Sequence, residues 1–356
     1  MRVGIVTIYN SQNCGSFLQS LALLNFVKQL GYDTAMAKNN MYYKNKMPYR
    51  YAMALKYRLL CQNEKANRIV ETYKGFKKAR KGRLSIRRVS ENDVCIYGSD
   101  TIWNFNDSDY FGKEWKHYWG ASYDGKKIAY APSIGPTPVE SILKREELCC
   151  CIKNFVGLSV RDANTREVVE AVVGDDREVQ SVVDPTMLMS RAFYENIAAD
   201  SEDGDYILFY YFGIPDKSYM EEVSRYAKQN GKKLICFGDN IKGVDKQLCF
   251  DPIKMMTYYS KADLVITNTF HGNVFSLIFN KPFVNIDAGK AKVEDLLSSF
   301  GLSERTIRKA SDFCVVADRA IDYDGVNLLL EEKRRASGEY LIKALKKCER
   351  GEEDAR

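Results

Sequence analysis

Residues 263 to 286 read DLVITNTFHGNVFSLIFNKPFVNI, and this stretch decides the fold of the chain. A short apolar run bounded by polar residues, Leu264 to Ile266, is typical of a buried strand. The polar residues 267 to 272 predict a turn, and the apolar periodicity from Val274 to Phe279 predicts a helix. Pro282 ends that helix before a second strand. The order strand, turn, helix, strand is the repeating unit of a parallel α/β sheet.

His271 lies where this turn meets the helix, and the chain has only two histidines. A helix N-terminus presents N–H groups without intrahelical partners and the positive end of the helix dipole, so it suits anions. A titratable imidazole at that place could combine proton transfer with phosphate binding. These residues alone are equally consistent with a His271 that only caps the helix.

Length and composition indicate a globular protein of two domains. Its 356 residues exceed what one small core holds, and 45% hydrophobic with 28% charged residues is ordinary for such proteins. The ten cysteines match no metal-ligand spacing, so we expect reduced thiols, no metal site and a cytoplasmic location. The apolar run at the N-terminus is too short for a signal peptide, and no apolar run is long enough to cross a bilayer.

Positive charge is concentrated between Tyr42 and Arg88, which we call the basic aromatic segment. It holds 15 Lys and Arg, two Glu and seven aromatic residues, a net charge of +13 in a chain whose total is +6. Such a segment suits anionic lipid headgroups or acidic substrates, so we expect peripheral contact with the inner face of the membrane. No nucleic-acid-binding motif accompanies it, and we predict no nucleic-acid partner. A pair of amphipathic helices with a solvated basic face is the alternative.

Other predicted strands also end in polar or charged residues. The residues at these ends are Asn10, Ser99, Asp100, Ser133, Arg161 and Asp184. After the first strand, Asn13 and Gly15 lie in a small-residue turn whose backbone can approach a ligand, but the turn matches neither a dinucleotide-binding nor a P-loop motif. Because parallel strands present their carboxyl ends at one edge of a sheet, these residues predict a single concave face. Turns or helix caps are the alternative for the two aspartates, and a salt bridge between domains is the alternative for Arg161.

A polar, acidic stretch from Ser190 to Asp205 marks the expected junction between two Rossmann-like domains. We expect residues 1 to 189 to form the N-terminal domain, on the acceptor side, including the basic aromatic segment. We expect residues 190 to 320 to form the C-terminal domain, on the donor side. Residues 321 to 356 predict a final helix and a charged tail, with the helix crossing back to the first domain.

Four stretches, in this order and spacing, resemble the polysaccharide pyruvyl transferase family. They are the opening strand Ile5 to Thr7 with Asn13 to Gln19, Tyr97 to Asn104, Ser159 to Asp162 with Val183 to Thr186 downstream, and Thr267 to Ser276 continuing to Asn280 to Phe283. The first is similar to the family's N-x-G-x-x-L-Q and the second to its G-S-D-Q-I-W-N. Each stretch alone is weakly specific, whereas together they extend the resemblance over about residues 1 to 320.

The resemblance implies a glycosyltransferase-B-like α/β fold, with two Rossmann-like domains facing a cleft that holds the active site. It implies phosphoenolpyruvate as the donor substrate, no cofactor and no required metal. The implied acceptor is a sugar of a polysaccharide or lipid-linked oligosaccharide, and the product is a pyruvate ketal made in exopolysaccharide biosynthesis. The alternatives are a nucleotide-sugar-dependent glycosyltransferase of the same fold and a non-catalytic glycan-binding module.

This chemistry gives the candidate residues roles. We expect His271 to protonate the donor and Asp100 to orient or deprotonate the acceptor, as the two catalytic residues. Arg161 is the cation that can hold the donor's phosphate or carboxylate through two hydrogen bonds. The remaining predicted substrate-binding residues are Asn13, Gly15, Ser99, Asp184, Thr269, Gly272 and Asn273.

One position departs from the family pattern. Some branches of the family carry Arg two residues before this histidine, where the chain has Thr269. We therefore expect anion binding to rely on Arg161, on N–H groups of the helix that starts at Gly272, and on a basic residue from elsewhere. The difference also leaves room for another anionic donor.

Overall fold

The computed structural model describes residues 1–40, 43–108, 111–199, 204–238 and 240–350. Tyr42, part of the predicted junction and the end of the charged tail lie outside the described residues. The strands are β1 (Arg2–Val6), β2 (Asp33–Ala37), β3 (Ile86–Arg87), β4 (Val94–Tyr97), β5 (Lys126–Ala129), β6 (Leu158–Val160), β7 (Val179–Ser181), β8 (Tyr206–Tyr211), β9 (Lys233–Gly238), β10 (Lys246–Leu248), β11 (Leu264–Thr267), β12 (Phe283–Ile286) and β13 (Thr306–Ile307). The helices are α1 (Cys14–Gln29), α2 (Met47–Leu59), α3 (Asn63–Arg80), α4 (Trp115–Tyr118), α5 (Val139–Leu143), α6 (Glu146–Lys153), α7 (Ala163–Val173), α8 (Arg191–Ile197), α9 (Lys217–Gln229), α10 (Pro252–Lys261), α11 (Phe270–Ile278), α12 (Ala291–Ser299), α13 (Phe313–Asp318) and α14 (Tyr323–Arg350).

The chain divides into two compact units. Unit 1 comprises Met1–Tyr49, Arg80–Met189 and Glu331–Arg356, and unit 2 comprises Arg50–Ala79 and Ser190–Leu330. The middle of the basic aromatic segment therefore belongs to unit 2, although we expected the whole segment in the N-terminal domain.

Contacts of α3 explain this difference. The Arg68 guanidinium donates to the carbonyl of Gly238, and the Cys249 thiol donates to the Glu71 carboxylate over 3.2 Å. The backbone at Gly75 passes so close to Asp251 that a Cβ there would lie 2.7 Å from a carboxylate oxygen. These tertiary contacts, which sequence adjacency does not reveal, place α3 with unit 2.

Unit 1 is built on a five-stranded parallel sheet in the order β3-β2-β1-β4-β5, with β6 and β7 paired separately. Both faces of the sheet are covered. Val94 and Ile96 of β4 lie in one apolar cluster, whereas Cys95 and Tyr97 lie in the other, because successive side chains of a strand point to opposite faces. The strand order reverses between β1 and β4, which is where such sheets bind ligands.

Unit 2 holds a six-stranded parallel sheet in the order β10-β9-β8-β11-β12-β13. This is the Rossmann strand order, and it reverses between β8 and β11. The predicted strand, helix and strand of residues 263 to 286 are present as β11, α11 and β12. The turn is shorter than predicted, because α11 begins at Phe270 rather than at Gly272.

Helix α14 belongs to both units, with the change between Leu330 and Glu331. Its second half carries Leu341 and Leu345, which are fully buried in the unit 1 cluster that also holds Val3. Nowhere in the described ranges does a helix combine the length and the apolar character that crossing a bilayer requires.

Candidate active site

In unit 1, the turn after β4 lies at the carboxyl edge of the sheet beside the strand-order reversal. Gln19 of α1 donates to the Thr7 hydroxyl over 2.9 Å, and that hydroxyl donates to the Ser99 carbonyl over 3.0 Å. The Ser99 amide donates to the Gln19 side-chain oxygen over 3.4 Å. Gly98 is required here, because its φ is +127° and a Cβ would meet the Tyr130 carbonyl oxygen at 2.0 Å. Gln19 and Thr7 therefore hold the turn that delivers Ser99 and Asp100.

Asp100 occupies the left-handed region of backbone conformation, with φ at +72°, and is 8% exposed. One carboxylate oxygen accepts from the Ser16 hydroxyl at 2.5 Å, and the other accepts from the Thr101 amide at 2.9 Å. Asn13 in turn caps α1 by accepting from the Ser16 amide at 3.2 Å, and Gly15 is buried in the first turn of this helix. Asn13 thus supports Asp100 through Ser16, a residue that we did not predict as part of the site.

Arg161 and Asp184 form a buried ion pair within unit 1, with side-chain exposures of 2% and 0%. The same guanidinium nitrogen donates to the Ser99 hydroxyl over 2.7 Å, and another of its nitrogens lies 3.9 Å from an Asp100 oxygen. Arg161 thus balances two carboxylates. A bidentate grip on a donor anion, as we predicted, would require this guanidinium to exchange partners.

Asp184 also has the capping role that the sequence left open. Its second carboxylate oxygen accepts from the Thr186 amide at 3.0 Å and from the Thr186 hydroxyl at 2.7 Å. This caps the short 3-10 helix Pro185–Leu188. The Asp184 side chain therefore has both an ion-pair role and a helix-capping role.

In unit 2, Thr269 caps α11 at the carboxyl end of β11. Its hydroxyl accepts from the Gly272 amide at 2.9 Å and lies 3.0 Å from the Thr267 hydroxyl. A Cβ at Gly272 would lie 2.0 Å from the Thr267 hydroxyl oxygen, so only glycine fits. The Asn273 amide donates to the Thr269 carbonyl over 3.2 Å. The N–H groups of Gly272 and Asn273, which we expected to donate to a ligand anion, therefore already have partners.

Amide side chains hold the rest of this turn in place. Asn273 is fully buried and donates to the Thr269 carbonyl and to the Asn285 side chain, both over 2.9 Å. Asn268 binds the backbone amide and carbonyl of Phe212 after β8, over 3.0 and 2.9 Å. The turn after β11 is thus fixed to β8 and β12, the two strands beside β11. Asn273 helps to hold this turn in place.

His271 follows the capping Thr269 by two residues and lies in the first turn of α11. Its side chain is partly exposed, and its ring packs edge-to-face on Phe270 with centroids 5.3 Å apart. The Thr269 hydroxyl caps α11, so the helix does not depend on His271 for its cap.

Lys290 is a residue of this site that we did not predict. Its ammonium donates to the Asn268 carbonyl over 2.9 Å, which places a cation against the turn that carries His271. Burial lowers the pKa of this half-buried lysine. Lys290 follows β12, so the strand-end rule that selected the other candidates also applies to it. Because the chain has Thr269 where some branches of the family have Arg, we expected a basic residue from another part of the chain. Lys290 is such a residue.

The structure thus gathers the predicted residues in two groups. Ser99, Asp100, Arg161 and Asp184 lie together in unit 1, with Asn13 and Gly15 at the start of the neighbouring α1. Thr269, His271, Gly272 and Asn273 lie together in unit 2, with Lys290 beside them.

Comparison with solved structures confirms the predicted fold. UDP-GlcNAc 2-epimerase from Neisseria meningitidis has a TM-score of 0.52 to this chain at 8% identity, covering 98% of this chain and 100% of that one. MnaA from S. aureus has a TM-score of 0.52 at 10% identity, covering 99% of each chain. The fold is glycosyltransferase-B-like and built of two Rossmann-like domains. At these identities the likeness concerns the fold alone.

The sequence comparisons identify the family. No curated protein matches the chain. The family model described as polysaccharide pyruvyl transferase matches residues 13–289, which is most of the chain. The matched range contains the quoted stretches apart from the opening strand Ile5 to Thr7. Both groups of candidate residues lie within the matched range, apart from Lys290, which follows it directly. The protein is therefore a transferase that belongs to the polysaccharide pyruvyl transferase family.

Proposed function

We propose that this protein transfers the pyruvate of phosphoenolpyruvate to a sugar of a polysaccharide or lipid-linked oligosaccharide and so forms a pyruvate ketal. The product would serve the synthesis of cell-surface polysaccharide. The observation that carries the proposal is the turn after β11, where the imidazole of His271 and the ammonium of Lys290 lie beside a helix N-terminus. An acid and a fixed cation are what an anionic enol donor requires.

The donor brings two anionic groups, a phosphate and a carboxylate. An ammonium has three N–H donors, and the Asn268 carbonyl takes one from Lys290, which leaves donors for an anion. The positive end of the α11 dipole acts in the same direction. We assign Lys290 the cationic role that Arg has two residues before the histidine in some branches of the family.

The chemistry needs one proton donor and two hydroxyls. His271 gives a proton to the methylene carbon of the enol, and C2 becomes electrophilic. One acceptor hydroxyl forms a bond to C2 and loses its proton, and the second hydroxyl then replaces the phosphate at C2. One of the two hydroxyl protons returns to His271, and the other leaves with inorganic phosphate. Donor and diol thus become ketal and phosphate in balance.

On the acceptor side, we assign Asp100 the role of orienting a sugar hydroxyl or taking its proton. Ser16 and the Thr101 amide hold its two oxygens in fixed directions, which favours a defined hydrogen-bond geometry. Arg161 balances the negative charge of Asp100 and Asp184. Asp184 is the reserve candidate for the base, although its capping and ion-pair contacts make that role less suited to it.

We place the reaction in the cytoplasm, at the inner face of the membrane. All ten cysteines are among the described residues and none of them forms a disulfide, which supports a reducing compartment. The proposed steps use only acid–base and electrostatic help from side chains, so no cofactor enters them.

The test is a reaction with phosphoenolpyruvate and a panel of glycosides, followed by phosphate release and by the mass of the glycoside. We expect both phosphate and a glycoside heavier by a pyruvate ketal. 2-Phospholactate, which keeps both anionic groups but lacks the double bond, should bind without releasing phosphate. Thermal stabilisation by uridine or guanosine diphosphate, with none by phosphoenolpyruvate, would instead support a nucleotide-sugar-dependent glycosyltransferase.

A further inference from the structure

Helix α2 carries a row of exposed apolar side chains. They are Met47 (50% exposed), Tyr51 (44%), Leu55 (57%) and Leu59 (77%), and Leu60 (55%) follows directly. Residues four apart lie on the same side of a helix, so the first four form one continuous row. Ala54, about 100° around the helix from Leu55, is buried. The helix therefore packs near Ala54 and leaves the side chains of Tyr51, Leu55 and Leu59 exposed.

Exposed apolar side chains are concentrated on α2. The described residues include ten large apolar side chains with high exposure, and five of them are on α2 or next to it. Single exposed apolar residues are common on protein surfaces, whereas a contiguous row marks a surface that binds something.

The charged residues of α2 and of its immediate flanks are all positive. Between Tyr43 and Asn63 the chain has five Lys or Arg and no Asp or Glu. Lys56 and Arg58 are exposed, and their helical angles place them on the two sides of the Leu55 position. The row is thus an apolar strip with cationic edges. It complements a surface in which anionic groups cover an apolar layer.

We propose that α2 lies in the interface of an anionic membrane, with Leu55 and Leu59 at the boundary between headgroups and acyl chains. Lys56 and Arg58 then contact anionic headgroups. At 13 residues α2 is about 20 Å long, too short to span a bilayer, so it lies along the surface. None of these residues takes part in the proposed transfer chemistry, and the inference deepens the proposed location of that reaction at the membrane.

Two other occupants fit the surface less well. An acidic polysaccharide would complement the basic edges but would not use the leucine row. A second copy of the chain would bring two helices of the same positive charge together, which is unfavourable across an interface.

The test is co-sedimentation with vesicles of phosphatidylcholine, with and without phosphatidylglycerol. We expect binding to the anionic vesicles that weakens with salt, and at least about tenfold weaker binding to the neutral ones. The double variant Leu55→Glu, Leu59→Glu should lose binding by at least about tenfold. Leu328→Glu, at a leucine of α14 that is 75% exposed, is the matched control and should bind like the wild type.

Several results would overturn the proposal. They are equal binding of wild type and the double variant, equal binding to neutral and anionic vesicles, or a dimer that the double variant abolishes and that forms without any vesicle binding. The double variant should keep the wild-type melting temperature and its activity on a soluble acceptor. Activity on a soluble acceptor separates a failure of the membrane proposal from a failure of the proposed function.

Discussion

The sheets of both units reverse their strand order at the same relative position, but the charged side chains at that position differ in their surroundings. In unit 1, the turn after β4 brings Asp100 to Arg161 and Asp184, and these charged side chains are almost completely buried against one another. In unit 2, the turn after β11 is held by hydroxyls and side-chain amides, and its titratable side chains, His271 and Lys290, are partly exposed. The charged side chains of unit 1 pair with one another, whereas the Lys290 ammonium of unit 2 contacts a backbone carbonyl.

This contrast shows that the fold does not decide the chemistry at its edge. Both sheets offer a crevice at the carboxyl ends of their central strands. The side chains at that edge determine whether the crevice is a rigid support or a binding surface. We therefore expect substitution of Arg161 to act mainly on stability, and substitutions at His271 and Lys290 to act mainly on turnover and donor affinity.

The largest effect should follow from His271→Ala. Loss of a general acid typically costs about 10²- to 10⁴-fold in rate, so we expect kcat to fall by that factor while the melting temperature stays close to wild type. The measurement is phosphate release from phosphoenolpyruvate with a working acceptor. Full activity in this variant would remove His271 from the mechanism, and a large loss of stability would assign it to the scaffold.

Breaking the buried ion pair should have the next largest effect. Arg161→Ala leaves two carboxylates without their cation, and we expect the free energy of unfolding to fall by about 3 to 5 kcal/mol. The matched control is Arg166→Ala, which removes an exposed ion pair with Glu170 and should cost less than about 1 kcal/mol. Denaturant unfolding measures both. Equal costs for the two variants would contradict the contrast between the units.

Lys290→Ala should weaken donor binding without slowing chemistry to the same extent. Charge-assisted hydrogen bonds are strong, so we expect KM for phosphoenolpyruvate to rise roughly tenfold to hundredfold. Lys217→Ala, at a lysine that is 90% exposed, is the control and should leave KM unchanged.

The pH dependence of KM for phosphoenolpyruvate provides a second test of Lys290. Burial lowers the pKa of Lys290 below its usual 10.5, so the ammonium is charged at low pH and loses its proton as pH rises toward the lowered pKa. KM should therefore increase on the alkaline side in the wild type. Lys290→Arg should keep KM low to higher pH, because a guanidinium stays protonated. An identical alkaline rise in both proteins would exclude titration of Lys290 as its cause.

The smallest effect should come from the helix cap. Thr269→Ala removes the hydroxyl that accepts from the Gly272 amide, and a lost cap costs about 1 kcal/mol of stability. Thr269→Ser keeps that hydroxyl and should restore most of the loss. Thermal or denaturant unfolding of both variants checks this, and no difference between them would show that the hydroxyl contributes little.

Much of the fold could be predicted from the chain itself, because strand ends carry a clear pattern. The apolar runs at β1, β4 and β11 and the polar residues after them indicated the sheet edges at which the candidate residues lie. The predicted family and fold are confirmed, whereas the catalytic roles of His271 and Asp100 stay predictions.

The sequence could not provide what depends on tertiary contact. Ser16 and Gln19 are helical residues, and only the packing of α1 against the β4 turn shows that they hold Ser99 and Asp100. The ion pair of Arg161 joins residues 23 positions apart and turns a predicted anion ligand into a partner of Asp184. The sequence predicts an N–H group of Gly272 that can donate to a ligand, whereas in the structure it donates to the Thr269 hydroxyl.

Helix α14 makes unit 1 the last part of the molecule to complete. The core of unit 1 needs Leu341 and Leu345 beside Val3, so strand β1 leaves the ribosome long before its packing partners are made. At typical synthesis rates of 5–20 residues per second, this interval is roughly 20 to 70 s. Unit 2 has its whole sequence once Leu330 has emerged. The unit that begins first therefore finishes last, and a chain cut short soon after Leu330 would expose the apolar core of unit 1 while leaving that of unit 2 intact.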